Sequence, residues 1–184
     1  MTPLTLASAS PRRRELLSHI VKGFEVAPSG AEEDGPATHW STAALSNAVA
    51  KACDVAAKRP ESLVIGADTV IELDGAILGK PKDIDDARRM LLLMSGRVHT
   101  VATGVCLRRL ADGTFCRFVE LSIVRFRILN KDVVDGYLSK VHVLDKAGAY
   151  AVQEHGSMIV DSVDGDVDNV VGLPVKRLSL ALRA

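Results

Sequence analysis

The acidic residue that stands out is Asp68. It lies inside an apolar run, GADTV, and carboxylates among apolar neighbours are rare unless they are paired or bind a metal. Lys80 follows Gly79 in a short basic turn that also carries Lys82. A hairpin through Asp74–Gly75 places Asp68 and Lys80 on neighbouring strand ends. A carboxylate beside a lysine suits metal-assisted chemistry on a phosphate ester. Carboxylates hold Mg²⁺ or Mn²⁺ and take a proton from water, while cationic side chains neutralise the phosphates. Glu32 and Glu33 add carboxylates from an acidic loop. The plainer readings are a turn-capping aspartate, a surface ion pair and a solvated loop.

A second feature handles anions. The stretch Leu4 to Glu15, LTLASASPRRRE, reads as a strand, a tight turn and the first turn of a helix. Leu4 and Leu6 are apolar at period two. Ser10 caps the helix and Pro11 suits its first position, where a missing N–H costs nothing. Small residues from Ala7 to Ser10 let an anion approach the backbone, and Arg12, Arg13 and Arg14 add guanidinium forks. An ordinary capped helix with solvated arginines has the same sequence signature, since neither GxxxxGK[ST] nor GxGxxG is present.

Other chemistries find little support. His19, His39, His99, His142 and His155 lack metal-site spacing, and His99 reads as structural. No GxSxG elbow occurs. Cys53, Cys106 and Cys116 have neither disulfide nor zinc spacing, which predicts small, partly buried residues in a reducing compartment. Cys53, in an alanine-rich helix, reads as core. Aromatic residues make up 4%, too few for a stacking surface, although Trp40 suits either covering a base or anchoring a helix.

These residues need a scaffold of alternating strands and helices. Beyond the opening unit the sequence predicts a strand at Phe24–Ala27, a loop at Ala31–Thr38, and a helix from Ser41 or Thr42 to Lys58. Leu63–Ile71 is an apolar run suited to a strand buried on both faces, with Asp68 near its end. A helix follows with Ala87, Met90, Leu91 and Met94 on one face. Val98–Leu110 and Thr114–Phe126 pair through Asp112–Gly113. A short helix to Ser139, a helical turn within Lys146–Gln153, a strand at Met158–Val163, an aspartate-rich turn at Asp164–Asn169 and a closing helix after Gly172–Pro174 complete the chain. The mixture predicts an α/β domain with a mixed sheet.

The 184 residues fit one domain. Twenty-three basic residues balance twenty-three acidic ones, which argues against broad nucleic-acid binding. Secretion and membrane spanning are disfavoured, because no leader-like start and no long apolar run occurs.

Several segments together resemble the Maf family of nucleoside triphosphate pyrophosphatases. They are LASASPRRRELL, the EED after FEVAPSG, GADTVI with GAILGKP, DDARRMLLLMSGRVHTVATGV, DKAGAYAVQ and DNVVGLPV, in family order along nearly the whole chain. The resemblance implies an elongated mixed-sheet α/β fold with two lobes flanking a deep nucleotide-binding cleft. It also implies a homodimeric, cytoplasmic enzyme that splits a nucleoside triphosphate between its α- and β-phosphates with a divalent cation. DKAGAYAVQ is most similar to the branch that takes dTTP and UTP; CTP, 7-methyl-GTP and modified pyrimidines are the alternatives. A non-catalytic nucleotide- or nucleic-acid-binding regulator of septation is the rival from another class.

By position in the motifs, the resemblance makes Asp68 the proton acceptor, Glu33 a cation ligand with it, and Lys80 a catalytic lysine. Arg12 and Arg13 become phosphate ligands, Ser8 the small hydroxyl residue of the same substrate-binding loop, and Lys51 a substrate-binding helix lysine that faces the cleft. Arg12, Thr69 and Gln153 fall at positions tied to base selection. Two segments depart from the family pattern. Val141, His142 and Val143 stand where Gly-Glu-Pro is common, implying a different cleft shape or metal affinity. Gly165, Asp166, Val167 and Asp168 replace a Gly-Ser-Tyr, removing a tyrosine near the cleft, and Glu154 replaces a glycine.

Overall fold

The computed structural model describes residues 3–33 and 39–183, without the side chain of Ser41. The rest of the acidic loop expected after Glu33, including Asp34, lies outside the described residues. Strand β1 (Leu4–Leu6) leads into helix α1 (Pro11–Ser18). The Ser10 hydroxyl accepts the Arg13 N–H at 3.4 Å, Pro11 opens the helix, and Leu16 and Leu17 are buried. Strand β2 (Glu25–Val26) is shorter than the sequence predicts. Helix α2 (Trp40–Lys58) begins before Ser41 or Thr42, after His39, which provides no side-chain cap. Trp40 anchors that end by packing against Ala43, Ala44, Val70 and Ala102.

Strand β3 (Leu63–Leu73) is the centre of the sheet, followed by β4 (Ala76–Leu78), helix α3 (Ile84–Met94), β5 (Val98–Arg108), β6 (Phe115–Phe126), helix α4 (Lys131–Leu138) and β7 (Val160–Asp164). Asp74 and Gly75, at φ 53° and 83°, give the β3–β4 hairpin the left-handed pair that a type I′ turn requires. Among the described residues the strands form one seven-stranded mixed sheet in the order β2-β1-β3-β5-β6-β7, with β4 also on β3. β1 runs parallel to β3 and β2; the other pairs are antiparallel.

The free edge of β3 is shared. β1 pairs with Leu63–Ile65 and β4 with Ile71–Leu73, while β5 runs along the opposite edge from Val64 to Glu72. Residues 66–70 therefore lie between two partners on that edge. The C-terminal end of β1 and the start of α1 open beside this interval, the kind of crevice where open α/β sheets place ligands. Asp68 sits at the middle of β3, not near its end, because the strand continues through Glu72 and Leu73 into the hairpin. Successive residues point to opposite faces. Asp68 turns to α2, whose Asn47 and Lys51 reach it, and Thr69 turns to the other face, where Arg13 and Thr103 meet it.

α2 rides very close to the sheet. A Cβ on Gly66 would strike the Ala48 carbonyl and Ala52, and one on Gly104 would strike the Ala44 carbonyl. Cys53 corrects its reading as core. Ala52 and Ala56 face the sheet at helical spacing, and Cys53, one position round, is exposed. The three cysteines are free thiols. The chain end also differs from expectation. Residues expected as an aspartate-rich turn already form helix α5 (Val167–Val171), because Asp166 caps it through the Asp168 N–H; Gly172–Pro174 then separates it from α6 (Val175–Ala181). Within Lys146–Gln153 the expected helical turn is a 3₁₀ turn at Ala147–Ala149. No helix among the described residues is long and apolar enough to cross a membrane.

Candidate active site

Asn47 and Lys51 stand one helical turn apart on α2, so both aim at the same point of β3. Lys51 Nζ lies 2.6 Å from Asp68 Oδ1 and 2.7 Å from Glu33 Oε1. Asn47 Nδ2 donates to Asp68 Oδ2 at 2.9 Å. One ammonium thus ties together a buried carboxylate and a half-exposed one from a distant loop. The hydrogen bond from Lys51 holds the Glu33 carboxyl below its ordinary value. The charges of Lys51, Lys80 and Arg13 add to this and outweigh the effect of burial.

Arg13 spans the other face. Its Nε donates to the Gly172 carbonyl at 2.9 Å, Nη1 to Ser8 Oγ at 3.3 Å and Nη2 to Thr69 Oγ1 at 3.0 Å. A guanidinium carries five N–H groups, so each terminal nitrogen keeps one for a ligand. Burial pulls the guanidinium below its ordinary value, against the opposing charges of Asp68 and Glu33. Ser8 also accepts the Ser10 N–H at 3.2 Å. Arg12 reaches across to Asp145, Nη1 to Oδ2 at 3.2 Å.

A cavity of about 450 Å³ gathers these groups. Glu33, Asp68, Lys80, Arg12, Arg13, Lys51, Thr69 and Gln153 all line it, whereas Ser8 stands behind Arg13 and Ser10 takes the place in the wall. Asn47, Asp145, Lys146 and Tyr150 line it too, without having been singled out from the sequence. Asn47 carried a signal: with Lys51 it makes a polar i, i+4 pair on a helix otherwise rich in small apolar residues. Lys146 is buried, with Asp145 Oδ1 at 2.9 Å, Glu154 Oε1 at 3.6 Å and the His142 carbonyl as partners. Val141 and Val143 are core residues, so that departure from the family pattern turns only the His142 backbone to Lys146.

Among the described residues no group of three or more His, Cys, Asp or Glu side chains is placed to hold a metal ion. Glu33 and Asp68, both hard oxygen ligands open to the cavity, fit Mg²⁺ or Mn²⁺ only as an ion shared with substrate phosphates and water, not in a closed protein cage.

A helix N-terminus, two arginines, three lysines and three carboxylates around one cavity make a site suited to polyphosphates. The chain belongs to the Maf family: the Maf-like protein description matches residues 3–184. It is 43% identical over 176 residues to the dTTP/UTP pyrophosphatase of Pyrococcus furiosus, covering 95% of this chain and 91% of that one. It is 46% identical over 175 residues to the dTTP/UTP pyrophosphatase of Akkermansia muciniphila, covering 95% and 92%. The protein of the same description from Carboxydothermus hydrogenoformans is 43% identical over 178 residues, covering 97% and 96%.

Proposed function

We propose that this protein hydrolyses nucleoside triphosphates, dTTP and UTP foremost, to the monophosphate and pyrophosphate. The observation that carries this reading is the cluster in which Lys51 joins Asp68 and Glu33 in the same cavity as Arg13. Water attacks the α-phosphorus, the bond to the α–β bridging oxygen breaks, and pyrophosphate leaves. Asp68 takes the water proton; each of its oxygens keeps a lone pair beyond its bond to Lys51 or Asn47. The free N–H groups of Arg13, with Arg12 and Lys80, hold the phosphates and balance charge on the leaving group. Glu33 and Asp68 would hold Mg²⁺ or Mn²⁺, which supplies Lewis-acid neutralisation of the phosphate oxygens. Gln153 and Thr69 face the base. The same reading brings a homodimer and a cytoplasmic location, checked by light scattering and cell fractionation.

A nucleotide panel assayed for pyrophosphate release, with and without Mg²⁺, tests the proposal. Release from dTTP and UTP that stops on chelation is the expected result. Salt-dependent DNA binding without any release would instead favour a binding module.

A further inference from the structure

Thr103 lies on β5 opposite Thr69, and its side chain is fully buried beneath the cleft. Its hydroxyl belongs to a line of four groups. Arg13 Nη2 stands 3.0 Å from Thr69 Oγ1, Thr69 Oγ1 2.9 Å from Thr103 Oγ1, and Thr103 Oγ1 2.9 Å from the Asn169 carbonyl. The two ends fix the direction of the whole line. A guanidinium only donates, so Thr69 receives from Arg13. A carbonyl only accepts, so Thr103 gives its hydrogen to Asn169. The hydrogen between the two threonines is therefore that of Thr69, pointing at Thr103. Asn169 is itself held, its Nδ2 donating to the Val101 carbonyl at 3.2 Å and to Ser122 Oγ at 3.0 Å.

Thr69 lines the cavity with its only hydrogen committed elsewhere. We propose that Thr103 is a positioning residue that makes Thr69 a pure hydrogen-bond acceptor toward the cleft, so that the site selects a pyrimidine presenting an N3–H donor. Uracil and thymine carry that donor; cytosine has an acceptor at the same ring position. The inference rests on the proposed hydrolysis of dTTP and UTP and explains a preference within it.

Thr103→Val keeps the shape and removes both hydrogen-bonding roles, leaving Thr69 free to donate. The ratio of kcat/KM for UTP to that for CTP is expected to fall on the order of tenfold in this variant, and to be retained in Thr103→Ser, which restores the hydroxyl. A merely structural role lowers both nucleotides alike and leaves the ratio unchanged, which overturns the proposal. N3-methyl-UTP tests the unsubstituted protein directly, should the valine variant fail to fold. Its kcat/KM is expected to lie on the order of tenfold below that of UTP, and equal turnover of the two overturns the proposal. Turnover of UTP with an unmoved ratio defeats this inference alone; absence of turnover for every nucleotide defeats the functional reading and this inference with it.

Discussion

The two walls of the cavity are built differently. On the wall formed by α1, α2 and β3, each functional side chain is fixed by others: Lys51 by Asp68 and Glu33, Asp68 by Asn47, Arg13 by Ser8, Thr69 and Gly172. Across the cavity, beside a fixed Asp145–Lys146 pair, Lys80 and Gln153 are exposed and come from a loop and a turn. Beneath that second wall, however, lies a buried aromatic block in which His99, Phe126 and Tyr150 pack edge to face with ring centres 5.0–5.5 Å apart. The contrast suits a division of labour. Asp68, Lys51 and Arg13, which act on charge developing at phosphorus, are held in advance with Thr69 locked beside them, whereas Lys80 and Gln153 are free to adjust as the substrate seats.

The sharpest way to break this contrast is Asp68→Asn. It is expected to lower kcat by roughly 10²–10⁴-fold with the fold retained by circular dichroism. A rise in KM alone would show that the interlocked wall only binds. The foundation of the second wall is tested by pH. Burial pushes His99 down to about 4 from an ordinary 6.5, so the folded protein keeps it neutral while the unfolded chain binds a proton. The unfolded state then holds more protons between those values. Stability from this residue is complete above about pH 6.5 and is lost as pH falls toward 4, by about 3 kcal/mol. Thermal melts of His99→Gln should be flatter across that window than melts of the unsubstituted protein.

Arg13→Lys comes next. A lysine keeps the charge but cannot make three directed bonds and still present two N–H groups, so kcat is expected to fall on the order of 10²-fold. The smallest effect belongs to the open wall: Gln153→Ala should raise KM for dTTP about tenfold and leave kcat close to its original value. A kcat loss there equal to that of Arg13→Lys would erase the distinction between the walls.

Local signals carried much of this into the sequence. Ser10, Pro11 and the paired Leu16 and Leu17 fix α1, and Asp74–Gly75 and Asp112–Gly113 mark their turns, because caps and left-handed turns depend on neighbours a few positions away. The motifs also pointed to the cavity residues. Their mutual contacts were not legible. Lys51 and Asp68 meet only through the docking of α2 on β3, and Arg12 meets Asp145 across 133 positions of chain. The early start of α5 was obscured because an aspartate-rich stretch reads equally as a turn or as a capped helix.

Two residues that contribute nothing but hydrogen at their α-carbons belong among the determinants of this chemistry. Were Gly66 or Gly104 to carry even a methyl group, α2 would lift from the strands beneath it and draw its amine and amide away from the carboxylate they now grip. Alanine at either place should therefore impair turnover without altering any group that meets the nucleotide, so that reactivity here is partly a matter of clearance between backbones.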